Sequence, residues 1–341
     1  MPDGTGILLG VTIAIALGFD FTNGFHDTAN AVATTVSTRA MSPRLAVVFS
    51  AVLNLAGALV ATQLLHTKVS NTIGSLVHPA GEQVALKFVV AALLAAIAWN
   101  LITWRAGLPS SSSHALIGAL VGMGLAGYGV HAIAWDKVIP TIIALVTSPI
   151  AGMILAAVVM IGVLNLLRRA HPHRVNVGFR GGQILSGAWV SFAHGSNDAQ
   201  KTMGVITLTL VATGHLHEGA GNAFPGPPAW VVVLAALAIG LGTYAGGWRI
   251  IRTMGSRIIR LEPVDGFVAQ TMSAVVIQAA TQINLPVSTT HVVSGGVMGA
   301  GSPRHFGAVR WNVARSILGA WVMTIPATAL IAAVITLLFK L

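Results

Sequence analysis

The 341-residue sequence has no cysteine, so disulfide frameworks and thiolate metal sites are excluded. Charged residues make up only 8% of it, where soluble domains carry about 25%. No stretch reads as a linker, a low-complexity tail or a soluble domain long enough to fold alone. The first apolar run continues into polar residues instead of ending at a signal-peptide cleavage site. What fills the chain is apolar: 55% of residues are hydrophobic and the mean hydropathy is +0.80. Runs of about 20 apolar residues, enough to cross a hydrocarbon core as helix, recur along its length. The sequence therefore reads as an all-α polytopic membrane protein. Its formal charge of +10 is assigned to topology and not to nucleic acid, because the basic residues sit in short loops between spans.

One heptapeptide recurs. Leu108-Pro109-Ser110-Ser111-Ser112-Ser113-His114 is followed by Gly118, Gly122 and Gly124; Leu285-Pro286-Val287-Ser288-Thr289-Thr290-His291 is followed by Gly295, Gly299 and Gly301. Proline favours the first helical position, and a neighbouring serine or threonine caps free amides. Each copy is expected to open a short helix, with the glycines behind it for close packing. A helix start presents unpaired N–H groups and partial positive charge, which suits an anion. Two such starts inside an apolar chain predict a site built from two broken or re-entrant half-helices. For His114 and His291, structural capping and substrate contact both remain open.

A second pair involves the acids, of which there are nine. Asp3, Glu82, Asp136, Glu218, Glu262 and Asp265 fall in loops or at span ends, whereas Asp20, Asp27 and Asp198 lie within apolar runs. A carboxylate near the bilayer centre costs about 2.5 kcal/mol or more, so it normally has a use. Phe21-x-x-Gly24-x-x-Asp27 matches Phe192-x-x-Gly195-x-x-Asp198. On a helix Asn23, Asp27 and Asn30 share a face, as do His194, Asp198 and Lys201. Gly24 and Gly195 are read as breaks in their spans. Asp20 has no counterpart, because Ser191 stands at the equivalent position; an interhelical hydrogen bond is the expected role there.

Both halves contain five crossing units, so the second half begins on the opposite side. The expected organisation is a first inverted repeat at 1–168, a basic cytoplasmic linker at 169–180 and a second inverted repeat at 181–341, the plan of many secondary transporters. With the basic loops cytoplasmic, all 14 arginines lie inside or at inner span ends, while Lys68, Lys87, Lys137 and Lys340 lie outside. This places both termini outside. Trp99, Trp104 and Trp135 are expected to be interfacial anchors.

These motifs resemble the inorganic phosphate transporter family, the PiT type of low-affinity permease. The family carries a duplicated Gly-x-Asn-Asp-type signature and a duplicated Pro-x-Ser-[Ser/Thr]-[Ser/Thr]-His element. Here they stand as Gly24-Phe25-His26-Asp27 with Asn30, Gly195-Ser196-Asn197-Asp198 and the two hydroxyl motifs, so the resemblance spans essentially the whole chain. It implies a plasma-membrane symporter that holds phosphate at mid-membrane between the two half-helices. Ser111, Ser112, Ser113, Ser288, Thr289, Thr290, Asp27, Asp198 and Gln200 would face the substrate. Asp27, Asn30, Asn23, Asp198, Asn197 and Lys201 would serve the coupling cation or proton. No resident cofactor is implied; Na+ or H+ couples transport, a divalent metal can travel with phosphate, and Na+ would sit near Asp27 and Asn30. The expected partners are inorganic phosphate and membrane lipid, not nucleic acid, with a homodimer left open.

The sequence departs from the signature at two positions: His26 replaces Asn, and Lys201 stands where the first copy has Asn30. The second departure predicts asymmetric coupling, with at most one sodium site near Asp27 and Asn30, or proton coupling through Asp198. The family also includes sulfate permeases. Phosphate keeps a P–OH donor at neutral pH that a carboxylate can accept, whereas sulfate would meet Asp27 and Asp198 only as repulsion, which favours phosphate. An intramembrane serine hydrolase has the residue types, but a duplicated hydroxyl set suits a two-fold binding site better than a single nucleophile. A passive anion channel is disfavoured by the intramembrane carboxylates.

Overall fold

The structure, a computed structural model, describes residues 4–63, 68–79, 84–217, 224–303, 307 and 309–341. Asp3, Glu82, Glu218 and Arg304, assigned above to loops or span ends, lie outside these. The described residues form α1 (Gly4–Ser37), α2 (Pro43–Gln63), α3 (Val69–Gly74), α4 (Leu86–Ala106), α5 (Ser112–Tyr128), α6 (Trp135–Leu167), α7 (Pro172–Ala212), α8 (Ala229–Ala245), α9 (Trp248–Arg252), α10 (Pro263–Gln282), α11 (Thr289–Gly301) and α12 (Trp311–Leu338). A π-helical turn at Thr253–Arg257 continues α9. By length and hydropathy α1, α2, α4, α6 and α12 suffice to cross a membrane, and α8 with α9 forms a further span bent by 58°. At 17 and 13 residues, α5 and α11 reach only about 25 and 20 Å, short of a full bilayer core.

Local sequence explains the boundaries. Gly107 closes α4 in the left-handed conformation at φ 67°, a position that glycine takes without strain. A reciprocal capping box between Glu262 and Asp265 opens α10 behind Pro263. The basic stretch after Leu167 is not all loop: Pro172 starts α7, and His173 to Arg180 form its first turns.

The interruptions expected in the first and seventh helices do not occur: α1 and α7 are continuous over 34 and 41 residues. Gly24 and Gly195 serve close approach instead. A Cβ on Gly24 would lie 2.3 Å from the Ile239 carbonyl oxygen of α8, and one on Gly195 would lie 2.0 Å from that of Asn54 in α2. The partners reciprocate, since a Cβ on Gly242 would meet Phe21 O at 2.1 Å and one on Gly57 would meet Phe192 O at 2.1 Å. Thus α1 seats on α8 and α7 on α2 through matched glycines. The pattern returns in the half-helices. Gly122 of α5 abuts Ala329 O of α12, and Gly299 of α11 abuts Met153 O of α6, each leaving a Cβ 2.1 Å. Overpacking of this kind costs about 1–3 kcal/mol. Gly57→Ala is therefore expected to lower the thermal unfolding midpoint in detergent. Gly162→Ala, where a Cβ meets nothing within 4 Å, should not lower it.

Two apolar clusters pack the helices. Ala16 and Phe19 of α1 join Ala199 and Met203 of α7 in one, while Ala29 and Val32 of α1 join Val190 and Ala193 of α7 in the other. Along the sequence α1 passes from the first cluster to the second and α7 from the second to the first. Their polar residues fall at the changeover, where neither helix meets an apolar neighbour on every side.

Candidate functional site

The half-helices begin later than expected. Ser111 caps α5 by accepting from His114 N at 3.1 Å, and Ser288 caps α11 by accepting from His291 N at 3.2 Å. Pro109 and Pro286 consequently lie two residues before the caps and not in the first turn. Their fixed φ holds the incoming chain extended. The two starts meet. Ser113 Oγ donates to Val287 O at 2.9 Å, and the His114 and His291 rings are 4.4 Å apart between centroids. Trp321 of α12 stacks on His291 at 3.8 Å and donates its indole N–H to Pro109 O at 2.9 Å, tying one motif to the other. His114 and His291 also line an apolar cavity of about 520 Å³ with Pro149, Met153 and Trp321.

Asp27 stands before both starts. Ser112 donates to its Oδ2 at 3.1 Å, Thr290 to its Oδ1 at 3.1 Å, and Thr289 reaches Oδ2 at 3.5 Å. His26 Nδ1 donates to Oδ1 at 2.7 Å, and His194 Nε2 lies 3.9 Å from Oδ2. Asn30, one turn on, donates to Thr290 and Thr289 at 2.9 and 3.3 Å. All are buried, Asp27 at 2% exposure. In the second half Asp198 bonds Lys201 at 2.6 Å and faces His194 Nε2 at 3.5 Å. The Lys201 ammonium uses its three donors on Asp198, Ser113 Oγ and Val287 O. It thereby joins α7, the start of α5 and the segment before α11.

Asn197, expected to serve the coupling ion, and His26 hold the scaffold in equivalent ways. Asn197 donates to Thr281 Oγ1 at 2.9 Å and accepts from Val287 N at 3.3 Å, at the end of α10 and the approach to α11. His26 Nε2 meets Thr103 Oγ1 at 3.2 Å and Ser110 Oγ at 3.4 Å, at the end of α4 and the approach to α5. An imidazole and an amide thus occupy matching places, which accounts for the departure at position 26. Gln200 is not brought to this centre: it donates to Ser196 O and accepts from Ser70 N at 3.4 Å, facing α3. Asn23 is fully buried, and neither of its side-chain polar atoms has a partner in hydrogen-bonding geometry. Trp99, half-buried, bonds Thr324 of α12 at 3.0 Å.

His194 is the residue that pattern reading placed on the face of Asp198 without giving it a role. It connects the two halves of the centre. Its Nδ1 bonds Asn54 Oδ1 at 2.6 Å, leaving Nε2 aimed at both aspartates with no hydrogen-bond partner. Asp27, His194 and Asp198 offer ligand atoms all within 4.8 Å of one another. Two carboxylates and one imidazole suit a divalent cation. Its position four residues before Asp198 was the available signal. The centre joins hydroxyl donors from two helix starts to two carboxylates, a combination suited to an oxyanion that carries both negative charge and a proton.

Comparisons with known proteins agree with one another. The chain matches the model of the phosphate transporter family over residues 23–177 and 165–332. It is 46% identical to a protein of Rhizobium meliloti (strain 1021) named "Probable low-affinity inorganic phosphate transporter", over 96% of this chain and 95% of the other. It is 44% identical to a protein of the same name from Bacillus subtilis (strain 168), over 96% and 97%. A solved structure described as "The sodium-dependent phosphate transporter" superposes with a TM-score of 0.87 over 98% of this chain and 99% of that one, at 23% identity, and so shares the fold. The named relatives are transporters, so the hydrolase reading falls. With apolar helices long enough to cross a bilayer several times, two hydroxyl-bearing helix starts and a family match spanning most of its length, this multi-pass membrane protein belongs to the phosphate transporter family.

Proposed function

We propose that the protein is a symporter carrying inorganic phosphate across the plasma membrane, driven by H+ or Na+. The observation that carries this reading is the convergence of hydroxyls from both half-helix starts, Ser112 with Thr289 and Thr290, on one buried carboxylate, Asp27. In the bound state Ser111, Ser112, Ser113, Ser288, Thr289 and Thr290 supply hydroxyl and backbone donors. Asp27 and Asp198 receive the P–OH of phosphate or hold the driving cation. That P–OH separates phosphate from sulfate, which would meet the two carboxylates as repulsion alone. The set of Asp27, His194 and Asp198 would hold a divalent metal if one travels with the anion. Lys201 fills the second-half counterpart of Asn30, which leaves room for at most one exchangeable sodium, near Asp27 and Asn30, the alternative being proton coupling through Asp198. The structural neighbour is described as sodium-dependent, which supports cation coupling.

Alternating access would follow from two inverted repeats, 1–168 and 181–341, rocking about the shared centre with 169–180 between them on the cytoplasmic side. The opposite order in which α1 and α7 traverse the two apolar clusters supports inversion, as do the reciprocal glycine contacts. Both termini would lie outside. The test is uptake of radiolabelled phosphate and sulfate into proteoliposomes under imposed sodium or pH gradients. Phosphate is expected to accumulate above electrochemical equilibrium under one of them. Equal accumulation of sulfate would assign a sulfate permease, and uptake that stops at equilibrium would assign a passive channel.

A further inference from the structure

One buried carboxylate takes no part in the centre described above. Asp20 lies on α1, seven residues before Asp27, about 10 Å along the axis. It is fully buried and faces Thr202 of α7 and Asn23 of α1. Neither of its oxygens has a partner in hydrogen-bonding geometry; nor do both polar atoms of Asn23, Thr202 Oγ1 and Asp198 Oδ2. Asp20, Asn23 and Thr202 face one another without closing bonds of normal geometry, so the buried carboxylate gains no full partner for its charge. Asp20 is also the intramembrane acid that the internal repeat does not duplicate, since Ser191 stands at its counterpart. Ser191 is satisfied, donating to Gly187 O at 2.8 Å and meeting Ser50 Oγ at 3.0 Å.

We propose that Asp20 is the residue that carries the driving proton, binding it on one side of the membrane and releasing it on the other as phosphate crosses. The three orphaned side chains fit both protonation states. The ionised carboxylate can accept from Thr202 O–H and Asn23 Nδ2–H. The neutral acid can donate its O–H to Asn23 Oδ1 while still accepting from Thr202. Its charge also reaches the substrate centre. The charged groups acting on Asp20 are Asp198, repulsive, and Lys201, attractive, both on α7. Ionised Asp20 therefore adds a negative charge to the surroundings of Lys201, whose ammonium bonds Asp198, Ser113 Oγ and Val287 O at the half-helix starts. Protonation removes that charge. Among the described residues the charges on the other elements packed against α1 lie away from Asp20. Arg44, Lys87, Arg105 and Tyr244 stand at the ends of α2, α4 and α8; α9 and its π-helical turn, with Arg249, Arg252 and Arg257, meet α1 near Phe25 and Ala33; and α5, α10 and α11 meet it further on, at Asp27, Asn30 and Ala31.

The proposal rests on phosphate symport and adds the identity of the proton carrier, so the experiment separates the two. Wild type and Asp20→Asn are reconstituted into liposomes. Two readouts are taken: exchange of labelled phosphate with no gradient, and accumulation under an acid-outside gradient with an entrapped pH dye. A gradient of one pH unit multiplies accumulation about tenfold for each proton carried. Asp20→Asn is expected to keep exchange, lose the gradient-driven gain and lose the accompanying acidification of the lumen. Asp20→Glu, which keeps the acid, should recover the gain with a displaced pH profile. Full gradient-driven accumulation by Asp20→Asn would overturn the proposal. So would loss of exchange in both variants, which would make Asp20 a structural contact, and so would phosphate uptake by wild type without proton movement. Failure of wild type to exchange phosphate at all would instead remove the transport reading, and this one with it.

Discussion

Asp27→Asn is expected to abolish phosphate uptake while leaving the protein folded. The substitution keeps the side-chain volume and one carbonyl acceptor but removes the negative charge. Ser112, Thr289, Thr290 and His26 all address that charge within 3.5 Å. Hydrogen bonds to a charged partner each contribute about 1.5–3 kcal/mol, so losing the charge-assisted character of two or more of them lowers affinity by about a hundredfold or beyond. The amide also presents N–H to hydroxyls already aligned to donate, and it cannot take up the P–OH proton of the substrate. Folding should survive because no buried cation is left alone: Lys201 remains paired with Asp198. The measurement is phosphate uptake in proteoliposomes beside the unfolding midpoint in detergent. Uptake near the wild-type level in a folded Asp27→Asn protein would remove Asp27 from the binding centre.

The parts legible in sequence were those written as a pattern along the chain. The repeated Pro-hydroxyl-His-Gly spacing announced two half-helices, and Gly118 with Gly122 and Gly295 with Gly299 do seat them against α12 and α6. Asp27 and Asp198 stood out because a carboxylate in an apolar run is costly. What could not be read depended on partners far away in sequence. Gly24 and Gly195 look like breaks because glycine is a poor helix former in isolation; their reason is a carbonyl on α8 or α2, visible only once those helices pack. Asn197 looked like a ligand because it adjoins Asp198, yet its side chain points to the end of α10 and to the chain entering a half-helix, as His26 does at the end of α4. The prolines were displaced by two residues because any of several adjacent hydroxyls could cap, and sequence does not say which. His194 was seen on the face of Asp198 but not as a bridge to Asp27, since only the crossing of α1 and α7 brings those atoms within 3.9 Å.

Lys201→Met is expected to be the most destabilising change at the centre, and Asp198→Asn with Lys201→Met to be much less so. Removing the ammonium leaves the fully buried Asp198 carboxylate without its 2.6 Å partner and also strips donors from Ser113 Oγ and Val287 O. Breaking one side of a buried pair costs about 3–5 kcal/mol, whereas replacing both members by neutral groups of similar volume is often close to neutral. The double variant should therefore recover most of the lost unfolding midpoint, giving a coupling energy in a double-mutant cycle of about 3 kcal/mol or more. The same cycle decides what kind of asymmetry the chain has. If Lys201 and Asp198 couple strongly, the second half carries a fixed internal cation where the first has Asn30, and exchangeable charge is confined to Asp27 and Asp20 of α1. If Lys201→Met unfolds no more readily than wild type, the ammonium is not tied to Asp198, and the second half is as open to a driving cation as the first.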